Sequence, residues 1–132
     1  DYFIIYLQPT SPLRDANDIE KCFEDMKKNK KSSAVSVVKN GFSPFKSFKL
    51  NKTGGLKPLF SEYRTNQNRQ NLPKTYRSNG AIYIFKKSSL EKKNSFPSMN
   101  AYPYIMEEDL SIDVDDINDI IKIEKFLAKS KK

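Results

Sequence analysis

Tyr2–Leu7, YFIIYL, is an unbroken apolar and aromatic run, the pattern of a strand buried within a parallel sheet. It leads into Gln8-Pro9-Thr10-Ser11-Pro12-Leu13-Arg14, where two prolines end the ladder and hold the loop extended. Apolar positions then recur at Ile19, Cys22, Phe23 and Met26. That i, i+3, i+4, i+7 spacing predicts an amphipathic helix from Ala16 to about Lys28, with Asp15 or Asn17 as its cap. Cys22 falls on the apolar face and reads as core. Ser33–Val38, SAVSVV, reads as the next strand. Strand, helix and strand make a βαβ unit with a right-handed crossover expected.

Asn40 to Gln67 changes character. It holds Gly41, Pro44, the turn pair Gly54-Gly55 and short runs such as Ser47–Leu50, which predict short strands and turns leaving the main sheet. Phe42, Phe45, Phe48, Leu56, Leu59 and Phe60 are too many large apolar residues for a free loop, so burial against something, a second subunit included, is expected. Ala81–Phe85, AIYIF, reads as a strand buried on both faces, with Asn79-Gly80 as a turn just ahead of it. Lys87–Lys93 predicts a short helix. Asn94–Tyr104, with Pro97 and Pro103, reads as irregular. Leu110–Val114 predicts a short strand. Ile117–Ala128 predicts a closing helix that buries Ile117, Ile120, Ile121 and Leu127, and Ser130–Lys132 should fray. The expected fold class is α/β, with Tyr2–Leu7, Ser33–Val38 and Ala81–Phe85 in one mostly parallel sheet.

Composition narrows the chemistry. The 132 residues suffice for one domain, 37% are hydrophobic, and the net charge of +8 favours anionic partners. Much of that charge is Lys on helix faces and in the tail Lys129–Lys132, where solubility is the ordinary role. Cys22 is the single cysteine, so no intrachain disulfide forms, which fits a reducing, cytoplasmic setting. The chain has no histidine, which removes Ser-His-Asp catalysis and His-ligated metal sites. No apolar run approaches the ~20 residues of a membrane span, and no signal peptide is visible.

What remains is carboxylates, Lys, Arg, hydroxyls and a hard metal. Gln8, Thr10, Ser11 and Arg14 follow the first strand, where ligands bind in open α/β sheets. The alternative for these residues is a stiff connector whose hydroxyls cap the next helix. Arg69, Lys74 and Arg77 precede the central strand. They can serve an anionic ligand or form a solvated basic loop. Asp113 and Asp115 are two apart, so on a strand they share a face. Two carboxylates on one face suit Mg²⁺, with water and phosphate completing its shell. The competing use of this acidic run is capping the last helix, which explains Asp116 better than Asp113.

Three stretches, in order, carry a resemblance. LQPTSPLR at Leu7–Arg14, RQNLPKTYRSNGAIYIF at Arg69–Phe85 and SIDVDD at Ser111–Asp116 resemble motifs of the acylneuraminate cytidylyltransferases, or CMP-sialic acid synthetases. The resemblance spans about Asp1 to Asp119 and matches the C-terminal part of such an enzyme. It implies a Rossmann-like nucleotide-diphospho-sugar transferase fold, a three-layer α/β/α sandwich incomplete at its N-terminus, with 40–67 as a β-rich projecting dimerisation arm. The implied reaction is transfer of CMP from CTP to a nonulosonic acid (sialic, legionaminic or pseudaminic), giving CMP-sugar and pyrophosphate in cell-surface polysaccharide biosynthesis.

The resemblance also implies roles. Asp113 and Asp115 would hold Mg²⁺ and, with Arg69, serve catalysis. Gln8, Thr10, Ser11, Lys46, Arg69, Asn79, Tyr83 and Phe96 would bind the sugar, Phe96 across a homodimer. The family often has two adjacent aromatics at that last place, and here the second is Pro97. The family's nucleotide-binding loop would lie before Asp1, so the 132 residues alone are expected to show little activity. Nucleic acid and membrane are not expected partners. Two other readings fit the residues less well: a non-catalytic basic α/β module for RNA or an acidic polymer, and a CMP-Kdo synthetase-like enzyme.

Overall fold

The computed structural model describes residues 1–130. In chain order its elements are β1 (Phe3–Tyr6), α1 (Ala16–Lys28), β2 (Ser33–Lys39), β3 (Phe48–Leu50), β4 (Leu56–Pro58), α2 (Glu62–Thr65), β5 (Tyr76–Lys86), α3 (Lys87–Lys93), β6 (Tyr102–Ile105) and α4 (Ile117–Ser130). The chain divides into two compact units, one of 1–38 with 78–132 and the other of Lys39–Arg77.

The larger unit is a mixed α/β body. Its four-stranded sheet has the order β1-β5-β2-β6. The three expected strands do share one sheet, but it is not mostly parallel. β1 runs antiparallel to β5, with Ile5 opposite Ile84, while β2 runs parallel to β6. β5 also separates β1 from β2, so the two strands flanking α1 are not neighbours. A continuous apolar run marks burial, not strand direction, and that is why the pattern misled.

Burial of β1 was overestimated as well. It is an edge strand of the described sheet, with Ile5, Tyr6 and Leu7 exposed.

α1 forms as its periodicity requires. Asp15 caps it in a reciprocal box with Asp18, each side chain accepting the other's backbone N–H. Cys22 and Met26 are fully buried and pack with Ala34, Ile82, Ile84 and Tyr104. The other face of β5 carries Tyr83, which stacks on Phe96 with centroids at 5.0 Å, and Phe85, whose ring meets Phe96 at a tilt of 56° and 5.4 Å.

Three more expectations change. β5 begins before Asn79-Gly80, which lies inside the strand and not in a turn ahead of it. Bonds from the Asn79 side chain override the local turn signal. Tyr102–Tyr104, the end of the stretch Asn94–Tyr104 read as irregular, belongs to β6. Pro103 is tolerated there because the Met106 N–H reaches Val37 O across the ladder, so the Pro103 nitrogen, three residues back, faces the open edge. Leu110–Val114, read as a strand, is the end of a 3-10 turn at Glu108–Leu110 followed by chain that joins no strand.

α4 lies where expected, but only Ile123 is buried. Ile117, Ile120, Ile121 and Leu127 are exposed. Amphipathic spacing names an apolar face, and among the described residues these four positions stay uncovered. The expected fraying at Ser130–Lys132 falls mainly on 131–132, outside the described residues.

The smaller unit holds the antiparallel pair β3–β4, with Lys49 opposite Lys57. Asn51 closes its turn, accepting from Gly55 N at 2.7 Å and Thr53 N at 3.1 Å. Phe45 packs on Phe60 at 4.7 Å and under the Arg64 guanidinium. Phe42, Phe48, Leu50, Leu56, Leu59 and Phe60 are exposed in this chain, so most of the expected burial does not occur within it.

Candidate functional site

In the larger unit three separated segments meet. The loop after β1 is tied down by Arg14, whose Nη1 donates to Gln8 O at 2.9 Å and to Ala81 O at 2.7 Å. This guanidinium is a structural clamp on the loop, so it does not hang free for a ligand as the sequence suggested. Gln8 lies over Gly80. A Cβ at Gly80 would come within 2.2 Å of Gln8 Oε1, and the residue's φ of +75° is itself a glycine conformation. The Ser11 hydroxyl is buried and has no hydrogen-bond partner among the described residues. The Val114 N–H donates to Thr10 O at 2.9 Å, which brings the acidic segment against the same loop.

Asn79 joins the third segment. Its buried carboxamide donates to Ser111 Oγ at 3.0 Å and accepts from Ser36 Oγ at 2.6 Å. Gln8, Thr10, Ser11, Asn79 and the Asp113–Asp115 segment are therefore neighbours within one unit. Tyr83 is half-buried, its hydroxyl sharing a 2.6 Å hydrogen bond with Ser78 Oγ. Phe96 forms a cluster with Tyr6, Tyr83 and Phe85 of its own chain and remains partly exposed.

Asp113 and Asp115 are exposed, and among the described residues neither carboxylate accepts a hydrogen bond or pairs with a cation. Two unencumbered hard oxygen donors beside a polar loop fit a magnesium-type ion that keeps most of its water. No group of three or more His, Cys, Asp or Glu among the described residues could hold a metal by itself. The capping reading holds for Asp116: its Oδ1 accepts the Asp119 N–H at 3.1 Å. Asp119, which sequence reasoning missed, returns the bond through Oδ2 to the N–H groups of Asp115 and Asp116. Those donors, that of Asp115 first, and Lys122 hold its carboxyl below the usual range.

In the smaller unit Lys46 and Arg69 line one cleft of about 460 Å³ with Gly41, Phe42, Ser43 and Ser47. Each sits on a 3-10 turn, Pro44–Lys46 and Arg69–Asn71, and Arg69 Nη2 donates to Gly41 O. An adjoining recess adds Lys39 and Lys74. Two cations on the cleft and two more on the recess beside it form a basic surface suited to an anion. Ser36, Gly80 and Ser111 were not singled out as site residues. Small residues at no regular spacing leave no periodic signal to find.

No family model matches the chain. It is 34% identical over 128 residues to the post-translational flagellin modification protein B of Campylobacter coli, covering 97% of this chain and 53% of that protein. It is 29% identical over 119 residues to the N-acylneuraminate cytidylyltransferases of Streptococcus agalactiae serotypes V and III, covering 90% of this chain and 29% of each of theirs. The resemblance read from the three motifs is thus found again in named relatives, of which this chain spans about half the length or less.

Proposed function

We propose that this chain is the sugar- and metal-binding part of a nucleotidyltransferase that moves CMP from CTP onto a nonulosonic acid. The observation that carries this reading is the meeting of Gln8–Arg14, Asn79–Tyr83 and Ser111–Asp115 in one unit, tied by the Thr10–Val114 and Asn79–Ser111 bonds. The names of the relatives support it. In the reaction the sugar's anomeric hydroxyl oxygen bonds to the α-phosphorus of CTP, the bond from that phosphorus to pyrophosphate breaks, and the hydroxyl proton passes to solvent. Mg²⁺ held by Asp113 and Asp115 would counter charge on the phosphates.

Arg69 is the group suited to the sugar carboxylate. Its fork can meet both carboxylate oxygens while the Gly41 carbonyl keeps it oriented. Lys46 adds charge in the same cleft. Gln8, Thr10 and Ser11 offer polar contacts to the sugar, the buried Asn79 carboxamide shapes the pocket behind them, and Tyr83 with Phe96 offers an aromatic surface. In this reading the sheet belongs to a Rossmann-like, three-layer sugar-nucleotide transferase fold. The exposed apolar residues of 40–67 would form a homodimer contact, and the protein would work in the cytoplasm without a membrane or nucleic-acid partner. Among the described residues no helix is long and apolar enough to cross a membrane.

The test is binding by the ¹⁵N-labelled chain, followed by NMR. N-acetylneuraminic acid should shift the amides of Gln8, Thr10, Ser11 and Asn79, and Mn²⁺ should broaden Asp113 and Asp115 selectively. If the sugar shifts none of them and an RNA oligomer shifts the basic loop instead, the enzyme reading gives way to the binding-module reading.

A further inference from the structure

Ser36 stands apart from every motif above, and its side chain is fully buried on β2. Its hydroxyl donates to Asn79 Oδ1 at 2.6 Å and accepts the Ile82 N–H at 2.7 Å. The Ala81 N–H also donates to Asn79 Oδ1, at 3.1 Å. Two donors on one carboxamide oxygen decide which way round the amide lies. Its NH₂ group must then face Ser111 Oγ at 3.0 Å and Met106 Sδ at 3.3 Å. Ser111, having accepted from Asn79, donates to Glu107 O at 2.6 Å. One directed chain of hydrogen bonds therefore runs from the Ile82 backbone through Ser36, Asn79 and Ser111 to Glu107. Three residues beyond Ser111, the Val114 N–H meets Thr10 O at 2.9 Å.

We propose that Ser36 is a positioning residue, which acts through the Asn79 carboxamide to hold Ser111 and so sets where Asp113 and Asp115 stand beside the Gln8–Ser11 loop. The catalytic use of that placement rests on the function proposed above; the placement itself does not. Without the Ser36 hydroxyl, Asn79 Oδ1 keeps only the Ala81 donor and the Ile82 N–H loses its acceptor. The amide can then turn over. A reversed amide presents oxygen to Ser111, which can answer only by giving up its bond to Glu107 O. The acidic segment, which has no strand pairing of its own, loses its inner anchor.

The experiment is residue-resolved hydrogen exchange on the whole chain, comparing wild type with Ser36→Ala and Ser111→Ala. The Val114 amide is the probe, and Ile84, in the β1–β5 ladder, is the reference. Selective loosening should speed Val114 at least about tenfold in both variants and move Ile84 less than about threefold. General destabilisation would speed both amides alike, and that result overturns the proposal. So does an unchanged Val114 in Ser36→Ala. If Ser36→Ala does not fold, the half-exposed Ser111→Ala carries the test, and an unchanged Val114 there is equally fatal. Failure of the metal reading shows separately, as absence of Mn²⁺ broadening at Asp113 and Asp115 in the wild type.

Discussion

Gly80 and Gln8 are fitted to each other: a Cβ on Gly80 would stand 2.2 Å from Gln8 Oε1 and 3.1 Å from Gln8 Cδ. The glycine lets a side chain from the loop after β1 lie directly on the backbone of β5. It also adopts φ +75° inside a strand, a conformation that costs an L-residue roughly 1–2 kcal/mol. Gly80→Ala is therefore expected to lower stability by about that amount in urea denaturation, and to displace Gln8. Combining it with Gln8→Ala should relieve the clash and leave the backbone cost. A Gly80→Ala chain as stable as wild type would show that the strand relaxes around this position.

Arg14 of the larger unit and Arg69 of the smaller should separate cleanly. Arg14 Nη1 holds two carbonyl oxygens at 2.7 and 2.9 Å, and charged hydrogen bonds of this kind contribute about 1.5–3 kcal/mol. Arg14→Ala should cost stability in that range, read from the urea midpoint, because Ala81 O lies in the core strand. Arg69 is exposed and lies in a cleft, so Arg69→Ala should leave the midpoint within about 0.5 kcal/mol. Its effect belongs on ligand affinity, with Arg69→Lys failing to restore a two-pronged carboxylate contact. Equal stability losses for both arginines would contradict this division.

Cys22 gives a pH signature. Burial, with Asp25 and Asp18 adding, pushes its thiol up from 9.0 to about 12. The unfolded chain thus releases this proton first as pH rises. The associated stability is fully present below pH 9.0 and is lost as pH climbs toward about 12. Tyr104 moves the same way, raised by burial and its bond to Asp18. In Cys22→Ala the fall in urea midpoint between about pH 8.5 and 10.5 should be shallower than in wild type, after allowing for a lower baseline from the small cavity. Parallel curves for the two proteins would mean that the thiol is not shifted.

How much of this was legible beforehand depended on the kind of signal. α1 was readable to its ends because Ile19, Cys22, Phe23 and Met26 repeat at the helical period and Asp15 supplies a cap. The three main strands were readable from apolar runs, but their directions were not. Direction is set by which strands pair, and YFIIYL looks the same beside a parallel or an antiparallel neighbour. β6 hid behind Pro103, which is disallowed in a central strand and harmless at an edge. Residues carrying a motif could be named from the sequence, whereas Ser36 could not. Its importance comes from meeting Asn79 across the sheet at 2.6 Å, a relation with no trace in local sequence. α4 shows the opposite limit: Ile117, Ile120, Ile121 and Leu127, expected to be buried, are all exposed, and the residue that is buried, Ile123, was not among those expected.

On the proposed function, the acidic segment should divide in its roles within the complete enzyme of which this chain would be a part. Asp113 and Asp115 are exposed and unpaired among the described residues, while Asp116 Oδ1 caps α4 through the Asp119 N–H at 3.1 Å. Three neighbouring carboxylates should therefore behave in two ways. Asp113→Asn or Asp115→Asn removes one negative charge and weakens an oxygen ligand, at little cost to folding for an exposed isostere. Turnover, followed as pyrophosphate release across a Mg²⁺ titration, should fall at least about a hundredfold, the scale of losing one strong electrostatic stabiliser. Asp116→Asn should change turnover little, since Asn caps a helix about as well as Asp. Circular dichroism on all three variants guards against a folding artefact. If Asp113→Asn and Asp115→Asn both keep near-normal rates at every Mg²⁺ concentration, these carboxylates do not hold the metal, and capping by Asp116 and Asp119 becomes the whole purpose of the acidic run.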